Sequence, residues 1–427
     1  MRLSCFTILL IFFVSCSNEK IEYITDPQDY NNFLYTLNRD TYKNANNEIA
    51  FWSKRLRTDS SGIGDLGPLA NAYTTLFEAT ANIEHLKDAE RLYKKASKLP
   101  SLKKDAHIRS LAHNFMTQHR FKDAVDILER SYEDVSNKRA TELMLFDVYF
   151  EIGDYDKAYQ LLSEFENNND FSYLIRQAKW NDHKGNMGTV LRSMEKAKKI
   201  IDARGSKQLK TWINSNLAIY YGHSGNIKES YNYFLKTLEI QPDHTLAKKG
   251  IAWIVYSFEK KTEEANRILD SITIVHKDPA HFLFKAELAD FNDDESKSDH
   301  YKQKFIDMVE NNDYGSMYNT DLIKIYTETY PKKSLDLAQL ELKNRSTPLV
   351  YSLLAYAQLK NGALDTALKT IEEQVKGRTH EPIALFYSAI IYQSSGRKEL
   401  LKEVKEQLNE ASFELGPVKS SVLNNLK

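Results

Sequence analysis

Cysteine is nearly missing from this chain of 427 residues: there are two, Cys5 and Cys16. Past them no thiol is available for a disulfide, a zinc–thiolate cluster or a cysteine nucleophile. Glycine (15) and proline (9) are scarce, which excludes a loop-dominated chain and leaves long segments free to be helical. Neither sign of charge is in excess, with 58 Lys and Arg against 59 Asp and Glu. No basic surplus exists to grip phosphates, so nucleic acid is not an expected partner. Nothing after Val14 approaches the roughly 18 apolar residues of a membrane span. Nucleotide and hydrolase signatures are missing too: there is no GxGxxG, Walker loop, GxSxG or HExxH. No two of the 11 histidines stand at i, i+3 or i, i+4 on a helix. The expectation is therefore a non-enzymatic protein with no cofactor and no metal.

What is present begins with the N-terminus, MRLSCFTILLIFFVSCSNEK. Arg2 gives a minimal positive region, and Cys5–Val14 is an apolar run of signal-peptide length, too short to span a membrane. Phe13-Val14-Ser15-Cys16 resembles the lipobox of bacterial lipoproteins, with Phe13 in place of the usual Leu, Val or Ile. The resemblance implies a signal peptide over 1–15, lipid attachment at Cys16 and a polar tether over 16–26. Two or three acyl chains meet the requirement that stable anchoring needs more than one lipid signal. Ser17 after the cysteine resembles lipoproteins sorted to the outer membrane, so a cell-envelope location on either face of that membrane is expected.

The body of the chain is periodic. In Leu217–Pro242, Ala218 and Ser230 stand twelve apart and Thr237 seven further, with Gly225-Asn226 as a corner and Pro242 as a stop. Small residues at these spacings let two antiparallel helices approach closely, and glycine takes the left-handed conformation that ends a helix. Ala112, Phe146, Ala178, Ala218, Ala252, Ala289, Ile323, Ala355 and Ala389 are equivalent positions, with steps of 34, 32, 40, 34, 37, 34, 32 and 34. A helix–turn–helix unit with a period near 34 resembles the tetratricopeptide repeat.

Ten helix pairs are expected, beginning near residues 66, 104, 138, 170, 207, 245, 280, 316, 348 and 382. They form an array over 66–411. A non-consensus helical cap over 27–65 precedes it and a short tail over 412–427 follows. Gly62, Gly64, Gly67 and Pro68 are read as separating cap from array, and Ala79–Lys87 as holding a longer turn. The fold class is all-α.

The family resemblance implies a right-handed superhelical solenoid whose first helices line a concave groove that binds peptides or extended protein segments. Projecting the repeat frame places Arg109, His113, Asp147, Arg176, Lys179, His183, Trp212, Asn216, His223, Lys249, Trp253 and Tyr256 on that groove. Arg176 and Asn216 fall where some family members hold a peptide carboxylate, although the full clamp is not reproduced. The expected function is a membrane-anchored scaffold or peptide-binding adaptor. The alternative is a surface glycan- or nutrient-binding lipoprotein that partners an outer-membrane transporter.

Overall fold

The computed structural model describes residues 23–35, 40–56, 63–99 and 104–427. The signal-peptide and lipobox expectations, Cys16 included, lie outside these residues. Among those described, all regular structure is helical, and none of the helices is long and apolar enough to cross a membrane.

The first helices of the ten pairs run Ile63–Thr80, Lys104–Thr117, Lys138–Ile152, Phe171–His183, Lys207–His223, Thr245–Ser257, Ala280–Phe291, Asn319–Thr329, Pro348–Lys360 and Pro382–Ser394. Each start lies within three residues of the position indicated by the spacing. The local causes are visible at Leu217–Pro242. Gly225 has φ +77°, and the Asn226 side chain caps the next helix by accepting from the Glu229 amide at 3.3 Å. Ala218, Ser230 and Thr237 are at most 1% exposed, so the small residues do sit between the helices. Gly153, Gly185, Gly362 and Gly396 make the same corner with positive φ.

Three readings need correction. The longer turn at Ala79–Lys87 does not form: the helices Ile63–Thr80 and Ile83–Lys98 are separated by Ala81-Asn82 alone. The extra residues lengthen both helices instead. Gly64, Gly67 and Pro68 lie inside Ile63–Thr80 rather than ahead of it. Pro68 is the sixth residue of this helix, so the helix runs through it without the bond that an N–H there would make to the Gly64 carbonyl. Lastly, the cap does not simply close the end of the array. Helix Asp40–Arg55 packs on Ile63–Thr80, but Pro27–Leu34 crosses to the middle repeats. There Tyr30 Oη donates to Glu264 Oε1 at 2.6 Å, and the amides of Ile24 and Thr25 donate to Glu259 at 2.8 and 2.7 Å.

The array also winds back on itself. The Ser346 amide donates to the Ile152 carbonyl at 2.9 Å, and Asn344 Nδ2 donates to the His119 carbonyl at 2.8 Å. His380 sits against Gly185, and Phe413 against Gly222. The segments that follow the eighth and ninth pairs, together with the start of the C-terminal helix, thus rest on the ends of the first helices of pairs two to five. The expected tail is a helix, Ser412–Asn425, kinked at Gly416 and docked on helices Lys207–His223, Thr245–Ser257 and Ala280–Phe291.

Candidate functional site

The return of the later repeats converts the expected open groove into a chamber of about 760 Å³. Seven of the projected groove residues line it: Asp147, Arg176, Lys179, His183, Trp212, Asn216 and His223. They come from three successive first helices. The opposite wall is built by Arg345, Thr347, Thr379, His380, Glu381 and Glu414, which repeat spacing alone does not place there.

The other five projected residues have different surroundings. Arg109 reaches the Thr141 hydroxyl at 3.4 Å. His113 opens on the concave face beside Asp147, and the surrounding protein wall holds its pKa below the ordinary value. Trp253 donates from Nε1 to the Phe413 carbonyl at 3.0 Å and is covered by the C-terminal helix. Tyr256 is fully buried and bonds Glu287 Oε1 at 3.1 Å, so it serves the seam and is not a groove contact. Lys249 faces His276, Asp278 and His281 away from the chamber.

One end of the chamber is charge-compensated. Arg176 Nη2 pairs with Asp147, while its Nε and Nη1 donate to the carbonyls of Leu143 and Ser172 at 2.9 and 3.0 Å. A guanidinium so engaged has no free fork for a peptide carboxylate. Lys179 Nζ pairs with Glu151 at 2.8 Å. Burial would raise the Glu151 pKa, but Lys179 and Arg345 outweigh it and hold the carboxylate low.

The other end gathers three acids, Asp182, Glu381 and Glu414, with Lys324 the cation acting on Glu381. Burial pushes Glu414 up to about 8, with Glu381 and Asp182 adding repulsion. Burial and Glu381 raise Asp182 to about 6. His223 Nε2 lies 3.6 Å from Glu414 Oε2, and burial lowers this imidazole to about 4. His183 stacks on Tyr155 with ring centroids 4.2 Å apart and is also lowered to about 4, by burial and then by Lys184 and His380. A neutral His223 can donate one hydrogen bond and accept another, while a protonated carboxyl donates. The chamber therefore offers donors, acceptors and the half-exposed Trp212 face.

Sequence reasoning missed Asp182, Glu381 and Glu414. Asp182 precedes His183 in the same frame, but the two glutamates arrive from a later superhelical turn. It also missed the His276, Asp278 and His281 cluster, whose ligating atoms lie within 4.8 Å of one another. Two of these residues are on a loop, where a search for helical i, i+4 pairs does not reach.

No family profile matches the chain, and no curated protein matches it. Solved structures with some likeness include a signal-transduction ATPase with a tetratricopeptide repeat sensor, PH0952 from Pyrococcus horikoshii. It is 15% identical with a TM-score of 0.39, and the match covers 86% of this chain and 55% of that one. This chain thus spans about half the length of that protein. Yeast Tom70 is 12% identical with a TM-score of 0.34, covering 93% of this chain and 96% of its own. The human IFIT1 dimer with m7Gppp-AAAA is 13% identical with a TM-score of 0.39, covering 90% and 96%. Such distant likenesses carry nothing about ligand or partner. The repeat spacing, corners and helix pairing of the chain itself identify the architecture as an all-α solenoid of tetratricopeptide-like helix pairs.

Proposed function

We propose that the chain is a binding protein and not a catalyst: a helical-repeat interaction scaffold that holds part of a partner protein in the chamber. One observation carries this reading. Asp147, Lys179, His183, Trp212, Asn216 and His223 converge from three successive first helices on a single space. The opposing wall bounds that space, so it suits a chain terminus, a short loop or a projecting side chain better than a long extended segment. In this reading Cys16 carries the lipid, and the array stands off the outer membrane of a bacterial envelope on the 16–26 tether. The lipobox-like Phe13–Cys16 supports that anchorage.

A photo-crosslinking residue placed at Trp212 in intact cells tests the reading. A protein should be captured that the same probe at outward-facing Leu340 does not capture; equal capture at both positions sinks the proposal. Mass spectrometry of the mature N-terminus should find Cys16 acylated, and an unmodified Cys16 would remove the anchor.

The bounded volume favours one second reading. Small-ligand sites usually occupy about 300–1,000 Å³, and Trp212 offers a flat aromatic face suited to a sugar ring. Saturable binding on a glycan array, lost on Trp212→Ala, would establish the glycan-binding alternative in place of the scaffold.

A further inference from the structure

The loop between helices Thr262–Thr273 and Ala280–Phe291 holds a group of side chains unrelated to the chamber. It lies at another contact between superhelical turns, where the Lys277 amide donates to the Thr80 carbonyl at 2.7 Å. We propose that His276, Asp278 and His281 form a Zn²⁺ site that staples this contact.

Nδ1 of His276 and Nε2 of His281 face each other at 3.0 Å. Tetrahedral zinc with Zn–N bonds of about 2.0–2.1 Å separates two ligand nitrogens by about 3.3 Å. A small ring rotation therefore admits the ion between them. Asp278 is oriented by the Ala280 amide and the Tyr318 hydroxyl, both 2.8 Å from Oδ1, so Oδ2 is the oxygen available to the metal. The His276 ring also meets the Glu78 backbone carbonyl, an outer contact of the kind that orients metal-bound imidazoles. His281 is only 1% exposed, and its Nδ1 has no hydrogen-bond partner. Two imidazoles, one carboxylate and a water complete the four-coordinate set of a borderline divalent ion.

Lys249 and Lys285 are the cations facing the group. Lys285 is engaged by Asp270, whereas Lys249 supplies the counter-charge that an ion would take over. Repulsion from Lys249 makes the site weaker than a site without a neighbouring ammonium. The three residues come from a loop and the first turn of a helix, at spacings of two and three.

The test uses the full chain in detergent after chelator treatment. Zn²⁺ is titrated calorimetrically and Co²⁺ by its visible absorption. One equivalent of Zn²⁺ should bind, raise Tm, and correspond to a tetrahedral-type Co²⁺ band. His276→Gln and Asp278→Asn, both in the loop, should each weaken Zn²⁺ binding about 10- to 100-fold while the helical circular dichroism is kept. Lys249→Met should tighten binding, which a purely structural role for this loop does not explain. No saturable uptake at millimolar Zn²⁺, or uptake unchanged in both ligand variants, would overturn the site.

Discussion

Trp253 Nε1 and Ser257 Oγ both donate to the Phe413 carbonyl, at 3.0 and 2.8 Å, across some 160 residues of chain. Two donors on one carbonyl lock the start of the last helix to the sixth pair. Lys419 adds an ion pair to Glu287 at 3.0 Å. Gly416, between these anchors, has φ 77° and ψ 166°. A Cβ there would stand 2.8 Å from the Trp253 ring and 3.2 Å from Glu287 Oε1. The C-terminal helix is thus a clasp over the middle repeats and carries Glu414 into the chamber.

Gly416→Ala should loosen this clasp. Its backbone region is essentially reserved for glycine, and forcing alanine into it costs about 1–3 kcal/mol, before any clash with Trp253. Urea unfolding should show the loss, and limited proteolysis should cut within 412–427 sooner than in the parent. Unchanged unfolding and cleavage would mean that the helix is held elsewhere.

The repeats were legible because local rules recur along the chain: small residues at helix crossings, glycine at five of the corners, and at some of them a side-chain cap on the next helix. Ala218, Gly225, Asn226 and Ser230 satisfy all of them within thirteen positions. Seven groove residues followed from the same frame. The contacts that roof them did not. Whether Ser346 reaches Ile152 depends on the pitch of the superhelix, which accumulates small rotations over many pairs and leaves no mark at any one of them. Pro27–Leu34 escaped for a related reason. An amphipathic helix shows which face it buries but not which distant repeat receives it.

Corner glycines should separate into two classes. At Gly225, with φ +77° and nothing within 4 Å of a Cβ, alanine meets only the left-handed backbone penalty, about 1–2 kcal/mol. At Gly153, with φ +85°, the Cβ would also lie 2.7 Å from the Ser346 backbone oxygen. That oxygen belongs to the strand of chain whose amide bonds Ile152, so the contact between turns must shift. Gly153→Ala should cost at least about 1 kcal/mol more than Gly225→Ala, with faster hydrogen exchange at the Ser346 amide. Equal costs for the two would show that the turns do not press on each other there.

Chamber ionisation gives stability a pH optimum. Glu414 and Asp182, raised to about 8 and about 6 by burial and by repulsion from Glu381, keep protons that the unfolded chain releases near pH 4. Their contribution is thus present at low pH and falls as pH rises through those values. His183 and His223, lowered to about 4 by burial, stay neutral where the unfolded chain is protonated. Their contribution rises with pH between about 4 and 6.5. Glu414→Gln should flatten the decline between about pH 6.5 and 8 and steepen the rise between about pH 4.5 and 6.5, where Glu414 otherwise opposes the two histidines. Urea melts across this range read the slope; a decline of the same steepness in the variant would place its source at another group.

Arg176 tests whether the chamber wall is structural or reserved for a partner. Its three contacts, to Asp147 and the carbonyls of Leu143 and Ser172, leave the guanidinium with little to offer a ligand. Arg176→Ala should strand Asp147, while the Leu143 and Ser172 carbonyls keep their places in their helices, destabilising the fold by roughly 1–3 kcal/mol. Arg176→Lys should recover only part of that, because an ammonium cannot reproduce the fork. A double-mutant cycle with Asp147→Ala isolates the pair, and the expected coupling is about 1–2 kcal/mol. A coupling near zero would free Arg176 from its structural role and return it to the residues available for a bound carboxylate.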